Sequence, residues 1–185
     1  MSLRALSLVN MAAKTFGLEL FPDCRVTLAL FTEVQNCREL KRSIVDGDID
    51  GALLNASMIV DPFQVLVAAN KAIHLNHHGK MKTRNINSEV LFNLSPTNNI
   101  SDAFKKFGLG DDDTAFLAAI LNDNNGDKLE SLEQQVDGNM VGLDQLKITT
   151  DQAKIQKIYK IQDLELKNST LVDAVVCRMA SKDAT

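Results

Sequence analysis

Residues 61–78 predict a helix that is apolar around most of its circumference, and this limits the folds open to the chain more than any other feature. Asp61 is a favourable N-cap, Pro62 suits the first helical position, and Gln64 follows at N3. The helix is expected to run to about His78, before Gly79. Its apolar members are Phe63, Val65, Leu66, Val67, Ala68, Ala69, Ala72, Ile73 and Leu75, and its polar line is Gln64, Lys71, His74 and His78. Other elements must cover such a helix on most sides.

Short apolar segments supply candidate strands. Val26, Leu28 and Leu30 alternate with less apolar residues, which predicts a strand over residues 25–31. Further strands are expected over residues 49–54, 89–94 and 115–121. The last is nearly continuous in apolar residues, so we expect it in the centre of the sheet.

Helix start signals fall between these strands. The expected N-terminal caps are Thr32 (for a helix ending before Gly47), Ser101 (ending at Phe107), Thr150 and Ser169. A polar loop is expected over residues 122–127, followed by a weak helix or strand signal up to Val136. The irregular alternation predicts an α/β chain of the α+β type, with a mixed, mainly antiparallel sheet flanked by helices.

The chain is long enough for one such domain: 45% of its 185 residues are apolar. We expect the domain to span residues 18–185, with residues 1–17 as an N-terminal extension that can be disordered.

Charge is distributed unevenly along the chain. The net charge of -4 excludes nucleic-acid binding through bulk positive charge. Residues 62–110, however, carry six basic and two acidic side chains, whereas residues 111–151 carry two basic and ten acidic ones. The basic segment could supply phosphate contacts or simply form a solvated face. Its candidates for RNA contact are Lys71, Lys80, Lys82, Arg84 and Asn99.

The sequence supplies no recognised catalytic or metal-binding motif, so we expect no catalytic residue, no metal and no cofactor. His74, His77 and His78 could share a metal on one helix face, but an interaction with the helix C-terminus is the favoured interpretation. Cys24, Cys37 and Cys177 are expected to be reduced thiols that pack as small apolar residues. No segment is long and apolar enough for a membrane span, so no membrane partner is expected.

Four segments resemble the CGI-121 family from about Leu18 to the end of the chain. They are FPDCRVTLALF (residues 21–31), IVDPFQVLVAANKAIHL (59–75), GKMKTRNINSEVLFNLSPTNNISDAFKKFGL (79–109) and TLVDAVVCRMASKD (170–183). Residues 122–147 match the family only loosely.

The resemblance implies a non-catalytic subunit of the EKC/KEOPS complex, found in the cytoplasm and nucleus. Such a subunit docks on the N-lobe of a PRPK-type kinase-like ATPase, supports the synthesis of threonylcarbamoyladenosine (t6A) on tRNA, and meets the other subunits indirectly. The implied kinase contacts are on the final helix: Leu171, Val172, Val175, Arg178 and Met179. We expect Val175 and Met179 on the core side of this helix and Leu171, Val172 and Arg178 nearer the partner.

Archaeal members of this family also hold the 3′ CCA end of tRNA, so the resemblance favours an RNA-contacting role for the basic segment. Two alternatives remain open at this point: a stand-alone RNA-binding module, and an unrecognised enzyme that uses the His74 cluster.

Overall fold

The computed structural model describes residues 12–184 as one α+β domain, which confirms the predicted fold class. Its five strands form one antiparallel sheet in the order β1-β2-β4-β3, and β5 pairs with β2. The strands are β1 (Lys14–Leu18), β2 (Phe21–Thr32), β3 (Ala52–Asn55), β4 (Phe116–Leu121) and β5 (Asn139–Val141). The α-helices within the described residues are α1 (Cys37–Asp46), α2 (Pro62–His77), α3 (Ile86–Leu94), α4 (Ile100–Phe107), α5 (Asp127–Gln135), α6 (Leu146–Thr149), α7 (Gln152–Tyr159) and α8 (Leu171–Ser181).

The sheet is buried on both faces because its middle strands are apolar on both. In β2, Val26, Leu28 and Leu30 join the larger core, which includes α2, α3 and α8. The alternate residues Ala29 and Phe31 join a second core beneath α1 and α5. Every residue of β4 is buried, and this strand lies between β2 and β3, so its predicted central position is confirmed.

Helix α2 begins at the predicted residue, because Asp61 Oδ1 accepts a hydrogen bond of 2.8 Å from the Phe63 amide. Its predicted polar line is wrong at Gln64, which is completely buried. The Gln64 side chain is satisfied inside the core: Oε1 accepts from the Val60 amide, and Nε2 donates to the Tyr159 hydroxyl and the Met58 carbonyl.

The predicted strand at residues 89–94 is wrong, since these residues belong to helix α3. Asn85 caps the helix by accepting from the Ser88 amide at 2.8 Å. Helix α3 then packs its apolar residues, including Val90 and Leu94, into the same core as α2. A short apolar run is compatible with either type of element, and here the cap selects the helix.

Other helices begin within a few residues of the predicted caps. Thr32 is the last residue of β2 and caps no helix, since α1 starts only at Cys37. The other three caps are shifted by one or two residues: α4 is capped by Asn99 instead of Ser101, α7 by Asp151 instead of Thr150, and α8 by Thr170 instead of Ser169. In each of these three helices, the capping side chain accepts a backbone N–H three residues further on. The weak signal before Val136 is helix α5.

Strand β1 crosses the expected domain boundary at residue 18. Lys14 pairs with Leu28 and Gly17 with Arg25, so this part of the expected extension is joined to the sheet. Residues 1–11 of the extension lie outside the described residues. In the part of the chain that is described, the structure contains no helix of the length and apolarity that crossing a membrane requires.

Candidate functional site

Helix α8 has a firmly fixed start. The Thr170 hydroxyl accepts from the Asp173 amide at 3.2 Å, while Asp173 Oδ2 accepts from the Thr170 hydroxyl and amide. This reciprocal pair is a capping box, which satisfies amides that would otherwise lack partners. The capping box therefore holds the first turn of α8, which carries Leu171 and Val172, in a defined position.

The five predicted kinase contacts differ in burial, although Leu171, Val175 and Arg178 stand at i, i+4 and i+7 and so lie along one face of α8. Val175 and Met179 are buried in the larger core, as expected for the core side. Leu171 and Val172 are half-buried, and Leu171 packs at the edge of that core. Arg178 is also half-buried and donates from its guanidinium to Glu165 Oε2 at 2.8 Å. A partner could touch Leu171, Val172 and Arg178 directly, whereas Val175 and Met179 would act by holding the helix in place.

A second candidate surface is the loop between α2 and α3, which carries Lys80, Lys82 and Arg84, all exposed. The buried carboxylate of Glu89 on α3 fixes this loop. Its Oε2 accepts from the Lys82 amide at 3.0 Å, the Thr83 amide at 2.8 Å and the Thr83 hydroxyl at 2.6 Å. Three hydrogen bonds converge on this one oxygen, so the three cations project from a backbone that Glu89 holds in place.

Lys71 lies close to this loop and shares a partner with it. Its Nζ forms an ion pair with Asp183, and Lys82 Nζ lies 3.7 Å from the other carboxylate oxygen of Asp183. The structure therefore brings together Lys71 and Lys82, which are eleven residues apart in the sequence, through a residue that sequence reasoning missed.

Asn99 serves first as the cap of α4, because its Oδ1 accepts from the Asp102 amide at 3.0 Å. The neighbouring Asn98 connects this turn to the other end of the chain by donating from Nδ2 to the Lys182 carbonyl oxygen at 3.0 Å. The turn before α4 is thereby attached to the segment that follows α8.

Lys182 is the second residue that sequence reasoning missed. It is only 3% exposed, its Nζ donates to the Phe92 carbonyl oxygen at 2.7 Å, and the same atom lies 3.7 Å above the Phe92 ring. Burial, together with repulsion from Lys71 and Lys82, lowers the pKa of Lys182 to about 8. A lysine near the end of an amphipathic helix gives no local sign that it will be buried, whereas Glu89 within an apolar run does.

The histidines of α2 interact with the end of their own helix and with β2. His78 Nδ1 donates to the His74 carbonyl oxygen at 2.7 Å, and the Phe21 ring lies against His77 with centroids 5.2 Å apart. Among residues 12–184 no group of three or more potential ligands is arranged to hold a metal ion.

The cysteines differ in environment. Cys37 is buried, which raises its pKa to about 11 with help from the negative charges of Asp113 and Glu39. Cys24 is half-buried. Cys177 is exposed on α8, contrary to the expectation that it packs as an apolar residue.

Comparison with known proteins gives one consistent relationship. The model of the family "Kinase binding protein CGI-121" matches residues 31–183. The EKC/KEOPS complex subunit TPRKB of Danio rerio is 52% identical over 170 residues, which cover 91% of this chain and 97% of the relative. The EKC/KEOPS complex subunit cgi121 of Aspergillus fumigatus is 33% identical over 147 residues, covering 75% of this chain and 78% of the relative. The subunit CGI121 of Candida glabrata is 30% identical over 158 residues, covering 84% and 89%.

Proposed function

Because this chain belongs to the CGI-121 family of kinase-binding proteins, we propose that it is a non-catalytic subunit of an EKC/KEOPS complex. In this role it binds the N-lobe of a PRPK-type kinase-like ATPase, supports the activity of that enzyme in t6A synthesis, and meets the other subunits through it. We expect the protein to be located in the cytoplasm and nucleus.

The observation that carries this proposal is the extent of the family match. Residues 31–183 include the whole of helix α8 and most of both cores, so the likeness covers the framework together with the surface that would face the kinase. The relatives with matching length are named as subunits of this complex, which favours a subunit over an independent enzyme.

Helix α8 is suited to a protein contact for a physical reason. Leu171 and Val172 leave part of their apolar surface uncovered, and Arg178, about two turns further along the helix, forms an ion pair with Glu165. An apolar patch on a helix that the core holds rigidly can bind a partner with little loss of conformational entropy.

The experiment is a titration of the purified PRPK-type kinase with this chain. Calorimetry measures the affinity, and the ATPase rate of the kinase measures the effect on its activity. Leu171→Arg and Arg178→Glu are expected to weaken binding at least about tenfold. Val45→Arg is the matched control, because Val45 is 82% exposed on α1 and lies over the opposite face of the sheet.

Thermal unfolding of each variant shows whether weaker kinase binding results from a lost contact or from an unfolded protein. Arg178→Glu leaves no cavity in the core, since Arg178 is half-buried, but it places a carboxylate opposite Glu165, so its unfolding temperature has to be measured as well. Unchanged binding by both folded variants would remove α8 as the kinase surface, and absence of any binding by the unmodified chain would reject the proposed function.

A second role, contact with tRNA, is supported by the basic loop. Lys80, Lys82 and Arg84 are exposed on a backbone that Glu89 fixes, and cations on an ordered surface are what phosphate contacts require. Within the complex this surface would help to hold the tRNA 3′ end.

If the chain is instead a stand-alone RNA-binding module, it must bind tRNA without the kinase. Filter binding or fluorescence anisotropy with the isolated chain decides between the two. Binding that requires the kinase favours the subunit role, and micromolar or tighter binding by the isolated chain favours the module.

A further inference from the structure

Three lysines and one carboxylate form a compact cluster where the segment after α8 meets α2 and α3. Asp183 pairs with Lys71 of α2 and lies 3.7 Å from Lys82 of the loop, and Lys182 is buried beneath them. Lys71 and Lys82 come from separate elements but converge on a single anionic group, the Asp183 carboxylate. That arrangement is what a phosphate-binding site requires.

The carboxylate in this cluster is accessible. The side chains of Asp183 and Lys82 are 44% and 50% exposed, and that of Lys71 is 26% exposed. Partial burial raises the pKa of Asp183, but the hydrogen bond and charge of Lys71, with Lys82 and Lys182, lower it more, so the group is charged at neutral pH. An ion pair this exposed contributes little to stability, so it can open without disturbing the fold.

The backbone beside Asp183 is anchored independently of the ion pairs. The Lys182 carbonyl oxygen accepts from Asn98, and Lys182 Nζ is held at the Phe92 carbonyl oxygen and ring. The position of the Lys182 backbone therefore does not depend on the ion pairs that Asp183 makes with Lys71 and Lys82.

We propose that Lys71 and Lys82 form a binding site for one RNA phosphate group, and that the Asp183 carboxylate occupies this site in the free protein as an internal competitor. This inference rests on the RNA-contacting role proposed above. A tethered carboxylate is always near the two lysines, which gives it a high effective concentration. It carries one charge, however, and an RNA strand that also reaches Lys80 and Arg84 can displace it by making several contacts at once.

The consequence is selectivity for long or correctly placed RNA. An inorganic phosphate ion would have to displace the Asp183 carboxylate without help from any other contact. A tRNA end also contacts Lys80 and Arg84, and these contacts offset the free energy needed to displace Asp183. The internal carboxylate thus suppresses weak binding of small anions.

The experiment measures tRNA binding by the full chain at about 0.1 M salt, where charges more than about 10 Å apart are largely screened. Asp183→Asn keeps the shape of the side chain and removes its charge. We expect it to bind tRNA about three- to tenfold more tightly than the unmodified chain. Asp163→Asn is the control: it removes the same charge from an exposed turn before α8, and we expect a change of less than about twofold.

The double variant Lys71→Ala, Lys82→Ala distinguishes failure of the internal competitor from failure of RNA contact at this site. If it weakens tRNA binding while Asp183→Asn gives no gain over Asp163→Asn, the lysines contact RNA but the internal competitor is rejected. If the double variant binds tRNA as the unmodified chain does, RNA contact at this site is itself rejected, and the inference with it. Unchanged far-UV circular dichroism shows that each variant is folded.

Discussion

The Tyr159 hydroxyl accepts a hydrogen bond of 3.0 Å from the Gln64 side-chain amide, although the two residues are 95 positions apart in the chain. The same hydroxyl donates to the Leu94 carbonyl oxygen at 2.5 Å. Burial raises the pKa of Tyr159, so the group keeps the proton that it donates. This buried network connects α7 to the start of α2 and to the end of α3.

Replacement of Gln64 is expected to destabilise the protein. Gln64→Met preserves the approximate volume but removes one hydrogen bond each from the Val60 amide, the Met58 carbonyl oxygen and the Tyr159 hydroxyl. The expected loss is about 2 kcal/mol in the free energy of unfolding, measured in urea. Gln152→Met, at an exposed position, is expected to change it by less than about 0.5 kcal/mol. Equal effects would mean that the network contributes nothing measurable.

Asn93 provides the opposite case. It is 1% exposed, and neither polar atom of its side chain has a hydrogen-bond partner among the described residues. Burial of an unpaired amide is unfavourable, so Asn93→Leu should leave stability unchanged or raise it by about 1 kcal/mol. Urea unfolding provides the measurement. A loss above about 1 kcal/mol would show that an ordered water or another group satisfies this amide.

Lys182 should make stability depend on alkaline pH. Its pKa is about 8 in the folded protein, below the ordinary lysine value, because burial and then Lys71 disfavour its charged form, and Asp183 and Glu89 offset this in part. Between pH 8 and the unfolded-state pKa near 10.5, the unfolded chain binds more protons, so this group makes stability rise with pH.

Lys182→Met removes that contribution. Relative to this variant, the unmodified protein should gain about 1 to 2 kcal/mol between pH 8 and about pH 10, measured by urea unfolding at each pH. Parallel pH profiles would contradict the lowered pKa. Lys80→Met, at an exposed position, is the control.

Thiol labelling should separate the cysteines and report on the kinase contact. At pH 7 the exposed Cys177 should react with a disulfide reagent more than about 100-fold faster than Cys37, whose pKa is about 11. Cys177→Ser should remove the fast phase. Saturation with the kinase should slow that phase if the partner also covers the exposed side of α8, and an unchanged rate would show that Cys177 stays outside the contact.

The salt dependence of tRNA binding should depend on the basic loop. Replacing Lys82 and Arg84 by alanine is expected to reduce the slope of log K against log salt by roughly 1.4 to 1.8, about 0.7 to 0.9 for each lost phosphate contact. The control replaces Lys128 and Lys147, which lie within the acidic segment of residues 111–151. An equal reduction in the control would mean that RNA binding follows net charge alone.

Local signals were sufficient where one residue's chemistry decides the structure. Asp61 and Pro62 start α2 because a side-chain acceptor and a fixed backbone angle act within one helical turn. The alternation of Val26, Leu28 and Leu30 likewise predicted β2, but it is typical of a half-buried strand and did not indicate that both faces of β2 pack on apolar layers.

Long-range contacts decided the rest. Gln64 looks like a surface residue until Tyr159, far along the chain, satisfies its amide. Helix α3 could not be distinguished from a strand by its apolar run, and the approach of Asp183 to Lys71 depends on how α8 packs. The sequence could therefore identify the basic loop as a candidate, but not the carboxylate that neutralises part of it.

The position of β4 between β2 and β3 has a consequence for how the molecule is made. Strands β2 and β3 both precede β4 in the chain, and they do not pair with each other. During synthesis, the edges of β2 and β3 that face β4 therefore lack their hydrogen-bond partners until residues 116–121 have been made. Helix α8 then packs on α2, about a hundred residues earlier, so the surface proposed for the kinase exists only when the fold is complete. Binding of the partner would thereby select fully folded chains over unfinished ones.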